Sequence, residues 1–443
     1  MVSLSKRLEP KESSISPILI YAQSLSSIAP LGSASAYLTY ALTSSLSSTL
    51  IAGILGALIY FLWVLIGYRY SKVIASTGGT YEFARAGGGE LIGRIAGWLY
   101  WISYMIYLPS AITYLSSVVL PSELNLSPMV VASIEILIPI LLTLLLLTGI
   151  KPPLFYGLAT STIEIILILV LGIKVLSVTG LSLEPLSINV SLSNFFTGAL
   201  AVGFTLAGGG ASFFLGYEAV GKGKTVGKAY LTAYWVASAA VLFAAYFEIA
   251  AAGYSNSGVA NLLNQTYYPG FFIAQRFMGG LFSFLFFIFT ANSLIGSVVA
   301  AYVALSRLSY SLLRKDMLKS IFVVAIPFIV INVIASFTGQ YLTIYLITTE
   351  ISLITLYASH ALVSLVFPSF TRKLSKFKFY DLLLALASAI LMGYGIYNYI
   401  IPYAFPTSLI GSLSLVCGLA IGILDWIIQK RRGNKIDRLG IKK

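Results

Sequence analysis

Apolar residues run along this chain in blocks of twenty or more, separated by short polar gaps, from Ile18 almost to the C-terminal end. A helix needs about 20 residues to cross the hydrocarbon core of a bilayer, and on that length the pattern predicts twelve spans. They cover 16–42, 48–69, 94–120, 128–149, 153–178, 193–219, 226–253, 278–310, 319–338, 341–367, 379–401 and 407–430. Pro109 and Pro139 fall inside the third and fourth spans and are expected to kink them. Two spans are interrupted. The stretch Gly203 to Gly221 is apolar enough to cross, yet carries Gly208, Gly209 and Gly210 in succession and Glu218 near its end. Three glycines cost roughly 3 kcal/mol of helix stability against alanine. Lipid offers no water to the loosened peptide groups, so such a segment belongs against a protein-walled cavity. The first span is interrupted in the same way, by Ser26-Ser27-Ile28-Ala29-Pro30-Leu31-Gly32-Ser33. Paired breaks in two halves point to the central site of a transporter. Halves of five spans each, over 16–178 and 193–367, put one break first in each half, with the last two spans (379–430) outside the repeat.

Composition agrees with this reading. The 443 residues are 58% hydrophobic and 10% charged, against about 25% charged in soluble domains. The net charge of +13 is a topology signal: all of the 28 basic residues except Lys174 and Arg276 fall in gaps on the side that holds the N-terminus. The positive-inside rule then predicts a multi-pass protein of the cell membrane with both termini cytoplasmic, and excludes nucleic acid as a partner. Residues 1–15 and 431–443 are expected to be mobile cytoplasmic tails, and the first span to remain as a helix instead of being cleaved. Asn125, Asn189 and Asn264 head Asn-X-Ser/Thr triplets, all on the side opposite the basic clusters; whether they carry glycans stays open. Cys417 is the single cysteine and His360 the single histidine, so no disulfide, metal site or cofactor is expected. No phosphate-cradling loop and no nucleophile–base pair suggests an enzyme.

Ionisable side chains at membrane depth are functional candidates by default. Here they are Glu135, Glu164, Lys174, Glu218, Glu248, Glu350 and His360. Glu164, two to three turns into the fifth span, reads as a group that exchanges a proton across a gradient; the competing reading is a neutral carboxyl bonded to a neighbouring helix. Glu218 either holds loosened amides or a cation, or ties the sixth span to a neighbour. Glu350 and His360 share the tenth span at about 15 Å along one face, so each needs its own partner. For His360 a packing role is preferred to a proton relay. Glu135 is expected at a cavity rim, Glu248 near the outer interface within reach of water, and Lys174 snorkelling at its helix end.

Gly78-Gly79-Thr80-Tyr81 with Arg85 and Gly93-Arg94-Ile95-Ala96-Gly97-Trp98 resembles the GG-x-Y…R…G-x-x-x-GW signature of the amino acid–polyamine–organocation (APC) transporters. Gly216-Tyr217-Glu218 resembles their GFE motif, and Asn292-Ser293 with Ser306-Arg307-Leu308-Ser309-Tyr310 their eighth helix. The resemblance implies an all-α LeuT-like fold of 12 transmembrane helices: a 5+5 inverted repeat with helices 1 and 6 broken, plus two peripheral helices. It implies that backbone amides and carbonyls hold the substrate at Ser27, Ile28, Ala29, Gly32 and Ser33 and at Gly208, Gly209, Gly210, Ser212 and Phe213. Trp101 and Tyr104 either wall that site or pack the core. Glu164 stands where several members place a lysine and sodium-coupled relatives bind an ion, and Ser293 and Ser297 join it as coupling candidates for a proton or cation. Ile28-Ala29-Pro30-Leu31-Gly32 departs from the common G-S-G-I pattern, Ala75 replaces a proline, and Gly221-Lys222-Gly223-Lys224 lacks the acidic E-x-x-N-P segment. The expected function is secondary transport of amino acids or related small amines by alternating access. The alternatives are an uncoupled exchanger or facilitator, and a membrane sensor or channel that keeps the fold without cycling.

Overall fold

The apolar blocks fold as helices throughout. The computed structural model describes residues 4–266, 268–314, 316–401, 403 and 405–431. In order these form α1 (Leu4–Leu8), α2 (Pro17–Ile28), α3 (Pro30–Gly32), α4 (Leu38–Ser45), α5 (Thr49–Ser71), α6 (Thr80–Tyr114), α7 (Pro128–Leu147), α8 (Lys151–Thr179) and α9 (Leu192–Thr205). There follow α10 (Lys222–Ala251), α11 (Asn256–Gln265), α12 (Pro269–Met278), α13 (Gly280–Leu313), α14 (Met317–Thr338), α15 (Tyr341–Leu365), α16 (Phe367–Lys373), α17 (Phe379–Ile400) and α18 (Thr407–Arg431). Among the described residues, 11 helical runs are long and apolar enough to cross a membrane.

The count differs from twelve because the first run, Pro17–Ser71, is 55 residues long and contains the first two predicted spans. The gap between them, residues 43–47, has only serine and threonine as polar residues, around Leu46. Thr49 Oγ1 donates back to Leu46 O at 2.7 Å, so the chain turns at Leu46 (φ 47°, ψ −126°) without leaving helical geometry for long. The third predicted span also begins earlier, at Thr80 in place of residue 94. Its two parts meet at Gly89, whose φ of 83° and ψ of −179° are accessible to glycine at little cost. The gap after α10 holds two short helices, α11 and α12.

Burial sorts the helices. α6 packs against α13, α15 and α18; α2 against α8 and α10; α5 against α9; and α7 against α14. Large apolar side chains such as Leu141, Ile173, Ile326, Val330, Ile390 and Val416 point outward on α7, α8, α14, α17 and α18. Such a continuous apolar exterior suits hydrocarbon rather than water.

The basic clusters gather at one end, and there the N-terminal segment is docked, not loose as expected for 1–15. Ser13 N–H donates to Tyr217 O (3.2 Å), Ser14 and Ile15 N–H to Glu218 O (2.8 and 2.9 Å), and Val220 N–H to Ile15 O (2.8 Å). Glu9 Oε1 accepts from Met317 N–H at 3.2 Å. The peptide groups beyond the sixth span need partners, and this extended strip supplies them. The C-terminal tail expectation for 432–443 lies outside the described residues. Asn125, Asn189 and Asn264 are all exposed. Two of their triplets have a second role: Ser127 and Ser191 cap α7 and α9, accepting from Val130 and Asn194 N–H.

Candidate functional site

The first break is made by two residues. Ala29 takes a left-handed backbone (φ 55°, ψ 70°), and Pro30 has no N–H to continue the ladder. The chain resumes as α3 and a π-helical turn, Ser33–Tyr37. This leaves amides facing the interior, and side chains from two other helices meet them. Leu31 N–H donates to Glu164 Oε2 of α8 at 3.3 Å. Gly32 N–H donates to Ser293 Oγ of α13 at 3.1 Å, and Ser293 Oγ donates in turn to Glu164 Oε2 at 2.6 Å. Glu164 is buried, so its carboxylate is held by one donor from the break itself and one from the hydroxyl that the break also binds. The carbonyl of Ile28 accepts from Ser33 Oγ at 2.6 Å.

The second break follows α9. After Leu206 the chain winds as a nine-residue 3-10 helix, Ala207–Leu215. Runs longer than three or four residues are uncommon in that geometry, and the three glycines lower the resistance to it. The loosened carbonyls again find side-chain donors: Tyr60 OH to Ala207 O (3.2 Å) and Tyr104 OH to Gly208 O (3.3 Å). The two breaks touch. A side chain on Gly208 would collide with the Ser27 carbonyl, and Ser24 Oγ donates to Ser212 Oγ at 2.7 Å. Gly209 lies against the Tyr230 ring and Gly210 against Phe213. Phe213 meets Tyr230 and Phe83 edge-on, with ring centroids 4.8 and 5.1 Å apart.

Beside this contact lies an aromatic wall. Tyr104 stacks on Tyr100 at 4.3 Å, Tyr37 on Tyr114 at 5.3 Å, and Tyr114 packs on Tyr345 at 4.8 Å. Gly208, Tyr37, Tyr107 and Tyr345 keep partial exposure amid buried neighbours. Ser297 does not reach Glu164; it pairs with Tyr107 OH at 2.6 Å, one helical turn from Ser293.

The other sequence candidates lie elsewhere. Trp101 donates to Ser309 Oγ at 2.8 Å and sits beside Trp98, which joins Arg94 on Asp425; it belongs to the basic end. Glu218 pairs with Arg307 through Oε2–Nε (2.8 Å) and Oε1–Nη2 (3.3 Å), both side chains buried. His360 stacks on Trp63 at 3.8 Å. Glu350 faces α18 at Gly411. Two expectations change. Glu135 is not at a rim but buried against Asn332. Glu248, expected within reach of water, is 1% exposed, because α12 folds over it. Lys174 lines a cavity of about 770 Å³ together with Arg276, so the two basic residues missing from the basic end lie together.

Tyr60, Tyr107 and Arg307 were not singled out from sequence. With 29 tyrosines in the chain, nothing marks the two that bond to a break or its neighbour. Arg307 lies in the Ser306–Tyr310 motif, which by itself says nothing of a partner 89 residues away.

Two solved structures of a manganese transporter from Eremococcus coleocola, a histidine-to-alanine and a glutamate-to-alanine variant, superpose on this chain with TM-scores of 0.56 and 0.57. Each is 16% identical, and each alignment covers 94% of this chain and 96% of the other. The chain therefore has a helical membrane-transporter fold, all-α among the described residues. No protein-family model and no curated protein matches its sequence.

Proposed function

We propose that the protein is a secondary transporter of a small amino acid or related amine, working by alternating access, with Glu164 as its proton-binding group. The observation that carries this reading is the contact between two interrupted helices, one of which offers its free amides to a single buried carboxylate. N–H groups released from the helical ladder suit a substrate carboxylate, and loosened carbonyls suit an ammonium. Glu164, bonded to Leu31 N–H and Ser293, changes those amides whenever it gains or loses a proton, which links its charge to the geometry of the substrate's seat. Aromatic walls at Tyr37, Tyr104, Tyr107 and Tyr345 fit an apolar substrate body.

The architecture we propose is twelve crossings in a five-plus-five inverted repeat, the Pro17–Ser71 run counting as two, with α17 and α18 outside it. The packing supports this. α10 lies against α2 as α5 lies against α9, and α8 lies against α13 as α15 lies against α6. Basic residues at one end favour cytoplasmic termini.

A second reading, carriage of a metal ion, follows from the solved neighbours. The breaks speak against it: residues 26–33 and 203–216 contain no Asp, Glu, His, Cys or Met, and the carboxylate that reaches them is Glu164 alone among the described residues. A divalent ion takes six or more oxygen ligands or softer side chains. Uptake into proteoliposomes decides. Saturable uptake of an amino acid or amine driven by an acid exterior, with accumulation lost but exchange kept in Glu164→Gln, is expected. Concentrative uptake unchanged in that variant removes the coupling role, and uptake of manganese alone removes the substrate class.

A further inference from the structure

Glu248 has no part in the site above, yet it is buried at the end of α10 remote from the basic clusters, and its Oε1 has no hydrogen-bond partner among the described residues. A buried carboxyl oxygen left unpaired is costly enough to need a reason. Its surroundings supply one. Glu248 Oε1 lies 3.4 Å from where a side chain on Gly270 would begin, and Ser35 abuts the same point. Ser35 projects from the π-helical turn after the first break and touches three groups. It donates to Leu31 O at 2.5 Å, and lies 3.4 Å from Tyr268 OH and 3.3 Å from Thr290 Oγ1. Tyr268 OH in turn donates to Thr290 Oγ1. Ser35, Tyr268 and Thr290 are all buried. Glu164 and this hydroxyl cluster thus grip the two sides of one residue: Leu31 N–H on Glu164 and Leu31 C=O on Ser35. On α13, Thr290 is one turn before Ser293, the residue that donates to Glu164.

We propose that Glu248, Tyr268, Thr290 and Ser35 form a second proton-binding site, through which protons from the side opposite the basic clusters reach Glu164. This rests on the transport reading. A proton from water neutralises the Glu248 carboxylate. Glu248 then gives that proton up to the cluster, where the hydroxyls of Tyr268 and Thr290 each accept one proton and release their own, with Ser35 holding the pair from beside. One water bridges the turn from Thr290 to Ser293, and the Glu164 carboxylate takes the proton that leaves Ser293. One proton enters, one arrives, and nothing is oxidised.

The charged and titratable groups around Glu248 fit this role. Its packing neighbours on the Ser33–Tyr37 turn, α2 and α5 bring no cation to it. Lys174 of α8 and Arg276 at the end of α12 are exposed in the 770 Å³ cavity, which Ala250 to Gly253 also line. Tyr268, preceding α12, feels both Glu248 and Glu123 and is kept protonated by burial, which raises its hydroxyl above the usual range. Glu123 is exposed in the loop before α7, beside a cavity of about 390 Å³, and partial burial pushes its carboxyl upward too.

The first test needs no substrate. Infrared difference spectra of the purified protein between acid and neutral pH report protonated buried carboxyls. Glu248→Gln should remove one carboxyl band that Glu164→Gln leaves in place, and Tyr268→Phe, which keeps the ring and so the packing, should shift that same band. In proteoliposomes, both variants at this cluster should slow accumulation driven by an acid exterior and leave exchange at equal pH unchanged. Spectra of Glu248→Gln and Tyr268→Phe identical to wild type overturn the proposal, as does accumulation at the wild-type rate in both. Failure of the wild-type protein to transport any substrate overturns the transport reading instead, while the spectra still decide whether Glu248 binds a proton.

Discussion

The Glu218–Arg307 pair offers a sharp quantitative test of how the basic end is held. Both side chains are nearly inaccessible, at 1% and 4% exposure, and they meet through two contacts of 2.8 and 3.3 Å. Glu218 also lends its backbone carbonyl to Ser14 and Ile15, so the pair and the docked N-terminal strip share one residue. Replacing one member of a buried pair leaves the other charge without a partner, at a cost of about 3–5 kcal/mol. Glu218→Leu and Arg307→Met should each destabilise the purified protein by that amount in thermal or chemical unfolding. The double variant Glu218→Leu/Arg307→Met removes both charges, and apolar replacement of a buried pair is often neutral; it should recover most of the loss, giving strong non-additivity. Hydrogen exchange at the amides of Ser14 and Ile15 should quicken in Glu218→Leu. If the single variants match wild type, or if their two losses simply add in the double variant, the pair does not hold this end and the argument fails.

Glycine positions separate two other causes. Gly208→Ala drives a methyl group into the Ser27 carbonyl, backbone that cannot rotate aside, so the breaks must part; substrate binding should be lost while helical content by circular dichroism is kept, and wild-type binding would refute the contact's importance. Gly89→Ala meets open space but must hold φ 83°, and should cost about 1–3 kcal/mol in unfolding experiments. Gly393→Ala, in open space on an ordinary helical backbone, is the control and should be neutral or stabilising by up to about 1 kcal/mol; equal effects at the two positions would refute the backbone argument.

Much of the architecture follows from local chemistry. Apolar blocks of about twenty residues pair their peptide groups in a bilayer as helices, since the strands of a closed barrel cross in about ten. The triple glycine and the Ala29-Pro30 step weaken helices wherever they occur, so both breaks were legible from the chain, as was the depth at which Glu164 is buried. The exceptions are partly local: Thr43, Ser44 and Thr49 read as a gap but bond to their own backbone, while Ser45 and Ser47 bond to Asn194 and Asn256, and the first two spans run together.

What the linear pattern could not decide was which side chain answers which loosened peptide group. Glu164 meets Leu31 across 133 residues and Ser293 across 129. Tyr60 meets Ala207 across 147, and Arg307 meets Glu218 across 89. Periodicity reports which face of a helix is apolar, but not which helix lies opposite or at what height. That depends on how α2, α8, α9 and α13 cross, and on small contacts such as Gly208 on Ser27 that set their spacing. The same holds for Glu248: its position in the chain suggests a wetted helix end, and only the folding of α12 across that end turns it into a buried acid beside the first break.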